Sequence, residues 1–251
     1  MVRFDAAYDF SNKVVLVTGA AGGIGKATAG LFHERGAGLA LLDRNPAVIE
    51  TARQLGENAR GWPLDIIDEK AVDQAVESIV KEFGKIDVLV NNAGIGMVAP
   101  AETMSVADWD RTIAVNLRGQ FLMSKAVAPH MLAQNYGRVV FISSQAAVVG
   151  IEEHAAYSAS KSGVLGMARC MAIEWGRRGV TVNSISPTVV NTEMALVGWA
   201  GDKGDRARDA IPVGRFADPD EIAFAVLFLA SGGAGMINGA NLVIDGGFTI
   251  R

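Results

Sequence analysis

The chain has a single cysteine, Cys170, and three histidines, His33, His130 and His154, that stand far apart. A disulfide scaffold is thereby excluded, and a Cys/His zinc site lacks ligands at useful spacing, so no metal is expected. Positive charge is not in excess either: 23 Lys plus Arg face 27 Asp plus Glu, for a net charge of −4. A polyphosphate partner calls for the opposite sign, and nucleic acid is not expected among the partners. Long apolar runs are missing as well. The longest, Ile222 to Ala230, is far below the ~20 residues that span a bilayer, so no membrane partner is expected. The opening MVRFDAAYDFSNK is polar and charged, without an apolar core of signal-peptide length, and points to a cytoplasmic protein.

What is present is apolar bulk. Half of the 251 residues are hydrophobic and 20% are charged, which is enough to bury a sizeable core and excludes disorder. Short apolar runs read as buried strands: Lys13–Val17, Gly38–Leu42, Ile86–Val90, Arg138–Ile142, Val180–Ser184 and Asn241–Ile244. Between them lie stretches of helical period. Val72, Ala75, Val76, Ile79, Val80 and Phe83 fall on one helix face. Continuous apolar strands separated by helices predict an α/β fold, a single doubly wound parallel sheet covered on both faces. No linker or repeat divides the chain, and residues 1–251 are expected to form one domain. The segment 191–214, rich in Gly, Ala, Asp and Lys/Arg, breaks the rhythm and reads as an irregular loop, either a lid over a ligand or plain surface.

Two local patterns carry chemistry. Thr18-Gly19-Ala20-Ala21-Gly22-Gly23-Ile24-Gly25 follows the first strand and opens a helix. Small residues there let the backbone approach a pyrophosphate, and a helix N-terminus favours negative charge. The spacing is not G-x-G-x-x-G, and a plain tight turn is the alternative. Asp43, at the end of the second strand, stands where a carboxylate can bind ribose hydroxyls and repel a 2′-phosphate. NAD is therefore expected over NADP, with Arg44 as the counter-signal and neutral Ala21 and Gly22 in support. The second pattern is Tyr157-x-x-x-Lys161, whose side chains share a helix face at that spacing. An ammonium ~4 Å from a phenol at an effective dielectric of ~20 gives roughly 4 kcal/mol, about three pKa units, toward the phenolate. Chance decoration of a helix surface is the alternative.

In combination these residues resemble the short-chain dehydrogenase/reductase family, over nearly the whole chain. The glycine turn resembles the family's cofactor turn, Asn91-Asn92-Ala93-Gly94 its fourth-strand motif, and Tyr157-x-x-x-Lys161 its active-site pair. Asn116 matches the helix asparagine, Ser144 the catalytic serine and Asp65 the acid that meets adenine, with Asn241–Gly247 similar to the last strand. One departure stands out: Pro187 is followed by Thr188 where the family usually has glycine. A β-branched residue does not readily take φ > 0, so this loop either follows a different backbone or offers a hydroxyl to the ligand.

The resemblance implies a Rossmann-like domain and hydride exchange between nicotinamide and an alcohol carbon. It makes Tyr157 the acid/base, Lys161 the group that lowers its pKa and holds the ribose, Ser144 the partner of the reacting oxygen, and Asn116 the anchor of a relaying water. Gly19, Ala21, Gly22, Ile24, Asp43, Asp65, Ile66, Asn92, Ala93 and Gly94 are the implied cofactor contacts, with Pro187, Val190 and Thr192 on the nicotinamide side. Gln145, Ala146, His154 and Thr188 are the expected substrate wall, and their hydrogen-bonding groups favour a hydroxylated molecule. The Asp43-Arg44 pair and the Gly-Gly-Phe-Thr-Ile tail resemble NAD-dependent sugar-alcohol dehydrogenases, so a polyol is the leading substrate. A 3-oxoacyl thioester reductase is the alternative, and a catalytically silent dinucleotide sensor is less favoured because the catalytic set is intact. The resemblance further implies a homotetramer, with apolar stretches Phe121–Val127 and Val164–Ile173 facing either a second subunit or the chain's own sheet. Cys170 is expected to be a buried core thiol, and Trp199 a possible substrate wall.

Overall fold

The computed structural model describes residues 8–251, apart from the side chains of Met194, Leu196 and Val197. The polar N-terminal stretch therefore lies, up to Ala7, outside the described residues. Seven parallel strands form one sheet in the order β3-β2-β1-β4-β5-β6-β7. They are β1 (Val14–Thr18), β2 (Gly38–Asp43), β3 (Ala59–Pro63), β4 (Val88–Asn91), β5 (Gly137–Ile142), β6 (Val180–Pro187) and β7 (Asn241–Ile244). Sequence patterning located six of these within a few residues and missed β3. Its sequence, Ala-Arg-Gly-Trp-Pro, has no apolar run, and it pairs along β2 as an edge strand, where one face needs little burial.

Alternation along the central strands feeds two cores. Val15 and Val17 of β1, Val88 and Val90 of β4, and Val140 and Ile142 of β5 pack on one face. Helices α1 (Gly23–Glu34) and α2 (Val48–Leu55) cover that face, together with the apolar helix Pro219–Ala230. Leu16, Leu89, Val139 and Phe141 point to the other face. There they meet α3 (Glu69–Phe83) and two further helices, Gln120–Gln134 and Ala155–Gly176. Both faces are dry, which is why the strands read as unbroken apolar runs.

Between β4 and β5 the chain runs through α4 (Val106–Ile113), a wide π-helical turn (Ala114–Gly119) and α5 (Gln120–Gln134). Helix α6 (Ala155–Gly176) follows β5. Cys170 is exposed, contrary to the expectation of a core thiol. The buried side of α6 is carried by Val164, Leu165, Ala168, Met171 and Ala172, and Cys170 falls off that stripe. Similarly, Leu122, Met123 and Val127 of the first apolar stretch face the chain's own sheet, whereas Phe121 and Ile173 stand exposed.

The segment 191–214 is not irregular. It folds into α7 (Glu193–Gly198) and α8 (Gly201–Asp209), and the last long helix is α9 (Pro219–Ala230). Thr192 caps α7 through its hydroxyl, and α8 carries Asp202 in its first turn with Arg206 and Arg208 in its last. These end effects support helices that the glycine-rich composition hides. No helix among the described residues is long and apolar enough to cross a membrane.

Phe141 is fully buried in the second core. Replacing it with Ala is expected to lower stability by about 3–5 kcal/mol, read from the midpoint of urea unfolding.

Candidate active site

The strand order reverses direction at β1, whose neighbours are β2 and β4, so the chain leaves the two strand ends toward opposite faces. A crevice opens there at the carboxyl ends of the strands. Thr18 and Asn92 tie its two banks together. The Thr18 hydroxyl accepts from the backbone N–H of Asn92 and Ala93, both at 3.0 Å. Asn92 Nδ2 donates back to the carbonyls of Thr18 and Gly19 at 2.9 and 3.1 Å. Gly19 has φ +68, and a Cβ there would come within 2.8 Å of Asn92 Nδ2, so the approach requires glycine.

The crevice deepens into a cavity of about 540 Å³. Every expected site residue lines it except Ala21 and Asn116. Gly22 is the N-cap of α1, which no side chain caps, and Gly22, Gly23 and Ile24 form the adjoining wall. Asp43 forms the lip: one carboxylate oxygen accepts from Ala21 N–H at 3.0 Å and the other from Asn45 N–H at 2.8 Å. Ala21 thus acts behind the wall, by fixing this carboxylate. The uncapped helix start, the space above Gly22 where a Cβ would meet nothing, and the fixed carboxylate fit a dinucleotide's phosphates and ribose.

The chemical end is built by β5 and α6. Ser144 stands two residues past the end of β5, and its hydroxyl accepts from Ala146 N–H at 3.1 Å. Tyr157 and Lys161 sit one turn apart at the start of α6, with Lys161 Nζ 5.7 Å from the Tyr157 ring centroid. Lys161 is buried and donates to the Ile142 carbonyl at 2.7 Å. Gly94 passes close by: a Cβ there would be 3.4 Å from Lys161 Nζ and 3.2 Å from Asn116 Oδ1.

Asn116 occupies the π-helical turn, a wide turn often found at functional sites. Its amide is fully engaged. Oδ1 accepts from Ile95 N–H at 2.8 Å, while Nδ2 donates to the Ile95 carbonyl at 2.9 Å and to Ser160 at 3.2 Å. The side chain fastens the loop after β4 to the start of α6. Sequence reasoning missed Gln120, one turn on, which donates to the Ala93 carbonyl at 3.0 Å and is fully buried. The i, i+4 spacing from Asn116 was the available signal.

Burial changes the electrostatics expected from the Tyr-Lys pair. The Tyr157 phenol is pushed above its usual value by desolvation, which a hydrogen bond with Ser144 opposes. The Lys161 ammonium does not bring the phenol down; it is itself depressed by burial to about 8. The loss of water around both groups outweighs the attraction expected from their spacing.

The substrate side carries Gln145, His154 and Thr188 on the same cavity, together with Trp199 and Lys203. Thr188 does not have a positive φ, so it adopts ordinary backbone, and its N–H donates to the Ile244 carbonyl at 3.0 Å. Its hydroxyl and Gln145 Oε1 find no hydrogen-bond partner among the described residues. Among the described residues no group of three or more His, Cys, Asp or Glu could hold a metal ion.

The family model described as Enoyl-(Acyl carrier protein) reductase matches residues 19–249. D-threitol dehydrogenase of Mycolicibacterium smegmatis is 51% identical over all of this chain and 97% of its own length. The chain is a short-chain dehydrogenase/reductase. NAD-dependent glycerol dehydrogenase of Listeria innocua is 41% identical, over 99% of this chain and 98% of its own. Among solved structures, a protein assigned as an NAD(P)-dependent gluconate 5-dehydrogenase from Beutenbergia cavernae, with NADP bound at low occupancy, superposes with a TM-score of 0.93. It is 34% identical and covers 98% of this chain and 100% of its own. The family places the chain among oxidoreductases acting on alcohol carbons with a nicotinamide dinucleotide.

Lys161 pairs with no acid among the described residues, so its depressed pKa is a cost of folding that is fully present below pH about 8 and relieved as pH rises toward 10.5. Lys161→Met is expected to stabilise the cofactor-free protein by about 2 kcal/mol at neutral pH, allowing for the lost bond to Ile142. The difference from wild type should shrink through that pH window in chemical denaturation.

Proposed function

We propose that the protein is an NAD-dependent polyol dehydrogenase, oxidising a secondary hydroxyl to a ketone. The observation that carries this reading is the polar wall beside Tyr157, formed by Gln145, His154 and Thr188 within the cavity that the glycine turn opens. An acyl chain would need an apolar channel there, and such a wall suits hydroxyl groups. The relatives named for threitol and glycerol support the same substrate class.

A bound nicotinamide dinucleotide supplies the two-electron acceptor. Asp43 would hold ribose hydroxyls and disfavour a 2′-phosphate, which supports NAD over NADP, with the glycerol dehydrogenase relative in agreement. Asp65 and Ile66 line the adenine end, and Pro187, Val190 and Thr192 the opposite end. Tyr157 takes the hydroxyl proton during oxidation and returns it during reduction. Ser144 hydrogen-bonds the reacting oxygen and opposes the upward shift of the phenol, and Lys161 would hold the nicotinamide ribose. Asn116 contributes by holding Ile95 and Ser160, which set the floor of the site and the start of α6. A silent dinucleotide sensor would not need this set.

Assembly as a homotetramer goes with this reading. Its support is apolar surface left open: Leu242 and Val243 on the edge strand β7, with Met236 and Ile250, stand exposed. Light scattering at micromolar concentration should give four times the chain's mass.

The deciding assay is a panel of tetritols, pentitols and hexitols with NAD, set against acetoacetyl thioester with NADPH. Polyol turnover is expected; thioester reduction without it would favour a 3-oxoacyl thioester reductase, the activity named for a 38% identical relative from Thermotoga maritima. Because the Tyr157 phenol is raised, its acid form prevails at neutral pH. Oxidation, which needs the base form, is therefore expected to quicken from about pH 6 to about pH 9, while reduction, which uses the prevailing acid form, stays nearly level. A flat oxidation profile over that range would remove Tyr157 from the proton transfer.

A further inference from the structure

His154 is the residue before α6, and proton transfer by Tyr157 makes no use of it. Its Nδ1 lies 2.5 Å from the Glu152 carbonyl oxygen. A carbonyl oxygen can only accept, so in the neutral ring Nδ1 carries the proton and Nε2 keeps a lone pair. Nε2 has no hydrogen-bond partner among the described residues, while the side chain borders the cavity. The ring is held from two sides. Tyr157 meets it edge-on with centroids 6.0 Å apart, and Trp199 stacks on it at 6.3 Å with planes 28° apart.

Trp199 comes from the junction of α7 and α8, so the stack joins that helical flap to the catalytic helix. A second link closes the ring of contacts. Lys203 of α8 lies 5.3 Å from the Trp199 ring centroid and pairs with Glu153 at 3.4 Å. Glu153 is the neighbour of His154 and holds a left-handed backbone, φ +65, unusual for a residue other than glycine. The flap thus grips the turn that carries His154 at two consecutive residues.

We propose that His154 is a specificity-determining residue whose Nε2 accepts a hydrogen bond from a second substrate hydroxyl, beyond the one that Tyr157 deprotonates, and that Trp199 is a positioning residue for its ring. The inference rests on the polyol reading and deepens it. Hydroxyls on neighbouring carbons can address two protein groups at once, one at the Tyr157 phenol and one at Nε2, each with a hydrogen bond of about 2.8 Å. An acceptor at this point is selective: it rewards a hydroxyl and leaves a second carbonyl or a bare methylene unpaired. The enzyme should therefore take diols over simple alcohols and, in reverse, hydroxyketones over diketones.

The test compares kcat/KM for butane-2,3-diol with that for butan-2-ol, which differ by one hydroxyl. In His154→Leu the diol-to-alcohol ratio is expected to fall about tenfold. His154→Gln, whose amide oxygen can accept, should recover part of the ratio, and Trp199→Ala should lower it through KM. Independently of turnover, histidine-selective 15N NMR of the wild type should show one Nδ1–H tautomer that vanishes in His154→Leu. An unchanged ratio in both His154 variants, or an Nε2–H tautomer at this residue, would overturn the proposal. Thioester reduction by the wild type with no diol or polyol oxidation would instead overturn the polyol reading beneath it.

Discussion

The hydrogen bonds between Thr18 and Asn92 are the joint on which the rest of the site depends. Asn92 donates through its backbone N–H to the Thr18 hydroxyl and through its side-chain amide to the Thr18 carbonyl, while the Thr18 hydroxyl donates to the Val90 carbonyl at 3.3 Å. The sheet alone would leave two diverging loops at the β1/β4 boundary, because the chain departs from those strands to opposite faces. The exchange of bonds fixes the glycine turn against Ala93 and Gly94. From Gly94 the order passes on to Asn116 and Lys161, and from Asn116 through Ile95 and Ser160 to α6. A chain of contacts a few residues long therefore sets the cofactor end and the chemical end in one frame.

That frame holds a lysine at an energetic disadvantage. Lys161 is buried with a backbone carbonyl as its hydrogen-bond partner. Such a position is poor for folding and good for reactivity, since a cation held in low dielectric acts strongly on charge developing nearby. Tyr157 shares the condition: burial alone opposes its ionisation, and the groups that would assist it are preorganised around it.

Much of the fold could be read in the sequence because both faces of the sheet are covered, so apolar runs mark strands without ambiguity. The failures have particular causes. Strand β3 is an edge strand with Arg60 and Gly61 at its middle, and its place comes from pairing with β2, which no local pattern records. Helix α8 rests on its end charges more than on an apolar stripe, and the start of α7 on the Thr192 cap. The site was legible where spacing along one element decides the geometry, as for Tyr157 and Lys161. It was opaque where distant segments meet. Gln120 on Ala93, Trp199 on His154 and Lys203 on Glu153 are contacts between segments 27, 45 and 50 residues apart, set by tertiary packing. The sign of the Tyr157 shift failed for a related reason, since desolvation depends on everything around the ring.

Ser144, Tyr157 and Lys161, to which the proposed function gives the proton machinery, all lie on one short stretch between the end of β5 and the start of α6, backed by the second core. The flap beside it hangs instead from the end of β6 and, among the described residues, meets that stretch at the 153–154 turn. In the proposed reading the flap adds to the choice of substrate from outside the stretch that carries the chemistry. Exchanges within the flap can redirect the enzyme to a longer or shorter polyol while the proton machinery stays in place. A lineage built this way can diversify its substrates through surface helices and never reopen its core.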